Sequence, residues 1–94
     1  ASLTRSSVDI IIDDGLHEFY AGKSLFEGMN KYLAGDGIYV IEDVTIVDYI
    51  SYKDYFAELK DKFTVQFFNL QRPSLQVGDN RLVIIRHSVW PRLE

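Results

Sequence analysis

The chain has 94 residues, of which 47% are apolar and 26% charged, and its formal net charge is -4. This size and composition indicate one globular domain with a thin core. Charges of both signs are interleaved, so no basic stripe supports binding to nucleic-acid phosphates, and no apolar run approaches the ~20 residues of a membrane span. The chain has no cysteine, which excludes disulfides and thiolate metal sites and is expected of a protein in a reducing compartment such as the cytoplasm.

The first half of the chain predicts a strand, a helix and a second strand. Residues 8–12 are an apolar run between polar residues, typical of a strand that is buried on both faces. The apolar residues from 19 to 33 recur at helical spacing, and the glycines of segment 34–37 should end that helix. Residues 38–43 form a second apolar run, which ends in acid.

The second half predicts a helix followed by two strands. The aromatic and leucine residues within 51–62 share one helical face. Segment 44–52, before and at the start of this helix, is unusually apolar for a loop, and we interpret it as a lid over an acceptor or as part of an interface. Residues 63–70 alternate well enough for a strand, residues 71–80 contain turn signals, and residues 81–87 form the last strand.

This order of elements predicts the α/β class. The first two strands are joined through a helix, which indicates a right-handed βαβ unit with parallel strands. The last two strands are joined without a helix and should form an antiparallel hairpin. We therefore expect a mainly parallel sheet with one antiparallel strand near its edge, in a single domain that covers residues 1–94.

Both apolar strands end in acid, at the sheet edge where ligands bind in open α/β folds. The first strand ends at Asp13 and Asp14, and the second ends at Glu42 and Asp43. If the strands are neighbours, the four carboxylates converge, and a divalent cation such as magnesium would offset their repulsion. Acids after a strand also serve as helix caps or solvated loop residues. Two such pairs at the same end of adjacent strands nevertheless favour a functional site.

A histidine lies three residues beyond the first acidic pair. An imidazole can accept a proton near neutral pH, so His17 is a candidate general base. A surface histidine, or one at a helix N-terminus, is an equal alternative, and both interpretations stay open.

The stretches VDIIIDDGLH, GDGIYVIED and NRLVIIRH resemble, in this order, the C-terminal half of class I S-adenosylmethionine-dependent methyltransferases. The closest resemblance is to the branch of macrocin- and mycinamicin-type sugar O-methyltransferases and cephalosporin hydroxylase-like proteins. In that branch Asp-Asp-Gly-Ser-His ends one strand and Gly-Gly-x-Tyr-Val-x-Glu-Asp ends the next. The resemblance covers nearly the whole chain. It implies a partial Rossmann-like methyltransferase sheet of strands four to seven, in the spatial order 4-5-7-6, with an antiparallel last strand and two main helices.

The resemblance also implies roles for five residues. Asp14, Glu42 and Asp43 match the magnesium ligands of the family. His17 matches the histidine that serves as general base on the acceptor hydroxyl, and Asp13 lies where the strand end approaches the S-adenosylmethionine cofactor.

The chain departs from the family pattern in three respects. Leu16 replaces the usual serine, which removes a hydroxyl beside the site, and Asp36 replaces a glycine. The glycine-rich cofactor loop and the ribose-binding acid of the family precede these motifs, and residues 1–8 do not supply them. We therefore expect the parent protein to be a magnesium-assisted O-methyltransferase with a small hydroxylated, sugar-like acceptor. We expect the isolated chain to have little or no activity.

The strand of residues 8–12 would be an exposed apolar edge without the missing half, which is a hazard for unintended pairing. We expect a second copy to cover it, through a two-fold strand pairing or a helix-mediated dimer, so that the chain is a homo-oligomer through this strand, with no nucleic-acid or membrane partner. Two alternatives stay open. In the first, the chain is a non-catalytic α/β module that dimerises and binds a divalent cation. In the second, a separate chain that carries the missing strands assembles with it.

Overall fold

The computed structural model describes residues 7–14, 18–69 and 81–88. Within these ranges the chain forms four strands and two α-helices: β1 (Val8–Asp13), α1 (Phe19–Met29), β2 (Leu33–Val44), α2 (Ile46–Ala57), β3 (Phe63–Asn69) and β4 (Arg81–His87). A short 3-10 helix, Asn30–Tyr32, connects α1 to β2. The predicted α/β class is therefore confirmed.

The four strands form one mixed sheet in the order β1-β2-β4-β3, numbered along this chain. β1 and β2 are parallel, whereas β4 is antiparallel to both β2 and β3. The predicted parallel first pair and the predicted antiparallel hairpin are thus confirmed. The last strand in the sequence lies between the second and the third, so β1, β2 and β3 all run in the same direction.

Both helices pack against the same face of the sheet. The ring centroids of Phe26 in α1 and Phe56 in α2 lie 5.1 Å apart, and the Phe26 ring also meets that of Tyr39 in β2 at 5.1 Å. The side chains that β2 and β4 bury beneath the helices are Tyr39, Ile41, Val83 and Ile85. Because alternate residues of a strand point to opposite faces, the described helices leave the other face of the sheet uncovered.

β2 begins earlier than the sequence pattern predicts. Segment 34–37, which we expected to end a helix as a loop, lies inside β2. The helix ends at Met29 instead, where the side chain of Asn30 donates a hydrogen bond to the Phe26 carbonyl at 2.9 Å. The β1–β2 register then shifts between Val8 and Ile10, and Gly37 allows the two backbones to approach closely.

The second helix also begins earlier than predicted. It starts at Ile46 rather than at residue 51, and it ends at Ala57 rather than at residue 62. The Thr45 side chain caps it by accepting a hydrogen bond from the Asp48 backbone N–H at 3.3 Å. The expected lid segment is therefore mostly the first turns of a helix. Exposed apolar residues such as Val47, which is 69% exposed, obscured the helical spacing of the buried residues in the sequence.

Gly37→Ala should destabilise the fold by about 1–3 kcal/mol, the usual cost of overpacking. A Cβ at Gly37 would lie 2.7 Å from the Asp9 carbonyl oxygen and 3.1 Å from that of Val8, both of which are backbone atoms of β1. Gly28→Ala is the matched control, because a Cβ there meets nothing within 4 Å and alanine favours the helix by roughly 0.5–1 kcal/mol. Urea unfolding measures both changes. A Gly37→Ala variant as stable as the original chain would contradict this close approach of β1 and β2.

Candidate functional site

The ends of β1 and β2 meet at one edge of the sheet. The strands are parallel, and Asp13 pairs with Ile41, so the next residues in each chain, Asp14 and Glu42, follow side by side on strands about 4.8 Å apart. Asp14 is exposed and Glu42 is half-buried. The expected adjacency of the two acidic strand ends therefore holds for the main chain.

The two aspartates at the end of β1 nevertheless differ in burial. Asp13 points to the face that the helices cover, where it is 4% exposed. Asp14 follows it just past the end of β1 and is exposed. In the ranges that the structure describes, no three Asp, Glu or His side chains are grouped so that they could hold a metal ion. The arrangement supplies adjacent oxygen donors rather than a formed cluster.

Asp43 has an unusual backbone conformation at the end of β2. Its φ angle is 54°, and it is the one non-glycine with positive φ among the described residues. Aspartate tolerates this left-handed region better than most residues. The β2–β4 register is also irregular between Ile41 and Val44. The chain therefore turns sharply between the acidic pair and the start of α2, which re-aims the Asp43 side chain.

Two buried tyrosines accompany Asp13 beneath the helices. Tyr39 precedes Ile41, the partner of Asp13, by two residues and so shares its face, and Tyr52 descends from α2. Burial raises the pKa of both hydroxyls, and the negative charge of Asp13 raises it further. Within the described part of the chain, the fully buried Tyr39 hydroxyl has no hydrogen-bond partner. This polar group lies inside an otherwise apolar and aromatic layer.

The sequence interpretation missed these tyrosines because their spacing is that of ordinary core residues. Tyr39 could have been found, since the parallel register and strand alternation place it on the face of Asp13. Tyr52 could not, because its position depends on where α2 begins. His17, the predicted general base, lies outside the described residues, as does Leu16.

A shallow groove of about 300 Å³ runs between α1 and α2. Phe19 and Lys23 of α1 line one side, and Ser51, Asp54 and Tyr55 of α2 line the other, together with Glu58. The groove does not include the acidic strand ends. It therefore adds no donor to the candidate site.

No protein-family model matches this chain, and searches of curated proteins and of solved structures return no significant match. The methyltransferase interpretation therefore depends on the quoted motifs and on the geometry of the strand ends. In the described ranges, neither helix is both long and apolar enough to cross a membrane.

The stability of the fold should fall as the pH rises above about 10. Burial, and then the charge of Asp13, raise the pKa of Tyr39 and Tyr52 in the folded chain above the usual value of about 10. The unfolded chain therefore releases these protons first. The stabilisation is fully present below pH ~10 and is lost as the pH rises toward the folded-state values.

The free energy of unfolding in urea, measured from pH 8 to ~11.5, tests this dependence. The Tyr39→Phe/Tyr52→Phe double variant should show a shallower decline with pH than the original chain, because it lacks both hydroxyls. Identical slopes in the two proteins would contradict the burial of these hydroxyls beside Asp13.

Proposed function

We propose that this chain carries the metal- and acceptor-binding side of an S-adenosylmethionine-dependent, magnesium-assisted O-methyltransferase with a small hydroxylated acceptor. The observation that supports it most strongly is the parallel register of β1 and β2, by which two acid-terminated strands end together. The described strands have the order β1-β2-β4-β3, and a correspondence of these strands to strands four to seven of that fold is part of this proposal. A Rossmann-like identity of the sheet is part of this proposal.

Asp14, Glu42 and Asp43 would hold the cation. Carboxylate oxygens are the donors that magnesium prefers, and the main chain brings two of these residues side by side. The donor chemistry therefore fits, although the side chains must turn toward one another from the arrangement in the described structure. A bound ion would polarise the acceptor hydroxyl and lower its pKa.

His17 is the general base of the proposal. It would take the proton of the acceptor hydroxyl while that oxygen bonds to the methyl carbon of the cofactor and the carbon–sulfur bond breaks, leaving a neutral thioether. Asp13 would act on the cofactor side. Its burial beneath the helices distinguishes it from the exposed Asp14, so adjacent aspartates would have different roles.

The alternative is a non-catalytic α/β module that dimerises and binds a divalent cation, or one that a separate chain completes. Among the described residues, β1 lies at an edge of the sheet and both helices cover the same face, and these two features favour the alternative. The coding sequence immediately upstream separates the two functions. A glycine-rich strand-loop-helix there is expected for the methyltransferase and not for the module.

Asp14→Asn should weaken magnesium binding at least tenfold, because it removes one anionic donor. Asp61→Asn is the control: it makes the same charge change at an exposed residue just before β3, at the opposite edge of the sheet. Calorimetric titration with magnesium chloride should give a millimolar-range affinity for the original chain and the control. Equal affinities in both variants, or no binding at all, would remove the metal site from the proposal.

Titration with S-adenosylmethionine is the second part of the same experiment. We expect the isolated 94-residue chain to bind metal without cofactor and to transfer no methyl group. Cofactor binding or measurable transfer by this chain alone would show that the cofactor pocket does not need the glycine-rich loop of the family.

A further inference from the structure

A second groove, which we call the edge groove, lies between α2 and β3, at the sheet edge opposite to β1. Its volume is about 260 Å³. The residues on the side of α2 recur at one helical stripe, which continues into the turn after the helix: Lys53, Phe56, Ala57 and Lys60. The residues on the side of β3 alternate along the strand: Phe63, Val65 and Phe67.

The floor of the edge groove is apolar and is held in place by the core. The Phe67 ring meets the ring of Tyr49 in α2, with centroids 5.4 Å apart. The Phe63 ring meets that of Phe26 in α1 at 5.0 Å. Val65 and Phe67 are nevertheless only half-buried. The edge groove therefore offers a preformed apolar surface, as binding sites for small molecules do.

The rim of the edge groove is positively charged. Lys53 and Lys60 are both exposed, and no aspartate or glutamate is among the described residues that line the groove. The Lys53 ammonium group lies 4.8 Å from the ring centroid of Tyr49 and 5.6 Å from that of Phe67. Cation–π attraction to these rings holds the ammonium group at the rim, where it can meet an anion without a large rearrangement.

Helix α2 separates charges of opposite sign. The groove on its other side, toward α1, is lined by Asp54 and Glu58 against the single cation of Lys23, whereas the edge groove has two cations and no anion along its described walls. The chain as a whole carries a net charge of -4. The edge groove is thus a local positive site on an acidic protein, and charge complementarity favours an anionic ligand.

We infer that the edge groove binds a small carboxylate with an aromatic or aliphatic body. The body lies on Val65 and Phe67, and the ammonium groups of Lys53 and Lys60 donate hydrogen bonds to the carboxylate. A volume just below the ~300 Å³ at which sites for drug-sized ligands begin suits a small ligand. The inference does not depend on the proposed methyl transfer, because no residue of the edge groove is a proposed metal ligand or base.

Titration with 2-naphthoate, followed by the amide chemical shifts of the protein, tests this site. The original chain should bind it with a dissociation constant of ~1 mM or tighter, and the shifts should concentrate in residues 53–67. The neutral analogue 2-naphthamide has the same aromatic body without the charge, and it should bind about fivefold more weakly or worse.

The Lys53→Gln/Lys60→Gln double variant should lose at least about fivefold in affinity for 2-naphthoate and bind it no better than the amide. Lys31→Gln is the matched control, because the Lys31 ammonium group also lies over a ring, that of Tyr32 at 5.3 Å, but in the 3-10 helix, outside the edge groove. The control should bind 2-naphthoate as the original chain does. All three lysines are exposed, so the fold should tolerate these changes, as circular dichroism can verify.

Ala57→Leu tests the groove without removing a charge. Ala57 is exposed at the last position of α2, so leucine should fold normally while it fills the edge groove and reduces 2-naphthoate binding at least about fivefold.

Four results would overturn the inference: no binding of 2-naphthoate to the original chain, equal binding of the amide, full binding by Ala57→Leu, or an equal loss in Lys31→Gln. Light scattering on the same samples identifies the other occupant. A chain that fails to bind 2-naphthoate, and whose mass falls from dimer to monomer in the double lysine variant, would assign the edge groove to a second copy instead.

Discussion

The parallel pairing of β1 with β2 determines most of what this chain can do. It sets the register that places Asp13 beside Ile41, and therefore decides which acids share an edge and which face each one meets. A one-residue slip would exchange the faces of Asp13 and Asp14, and would bury a different carboxylate beneath the helices. Gly37 permits this register, because a side chain there would collide with the β1 backbone.

The layering of the helices explains the division of the acidic residues. Because α1 and α2 both cover one face, Asp13 lies with Tyr39 and Tyr52 in a buried layer, whereas Asp14 remains exposed. On the other face, Ile10 and Ile12 are exposed. The placement of both helices on one face thus explains why a buried carboxylate lies beside two tyrosine hydroxyls of raised pKa and why isoleucines of β1 are exposed.

The bounds of an element were predicted well where its apolar residues are also the ones that the structure buries. The strand at residues 81–87 was predicted with its observed bounds, and the parallel and antiparallel pairings followed from the connections alone. The prediction was wrong at segment 34–37, which lies inside β2, near a shift in the β1–β2 register, and does not form a turn. It was also wrong at the start of α2, where exposed apolar residues mask the helical spacing of the buried ones. The candidate site was only partly predictable. That the acidic ends of β1 and β2 are adjacent follows from the parallel direction of the two strands. The grouping of their side chains depends on strand alternation and on the irregular β2–β4 register between Ile41 and Val44, which no local sequence pattern predicts.

Proton NMR of the folded chain tests the central claim most directly. Cross-strand nuclear Overhauser effects should connect Ile12 with Val40 and Asp13 with Ile41, in the pattern of a parallel pair. Effects that instead connect Asp14 with Ile41, or an antiparallel pattern between these strands, would contradict the account, because the two acidic strand ends would then no longer meet as described.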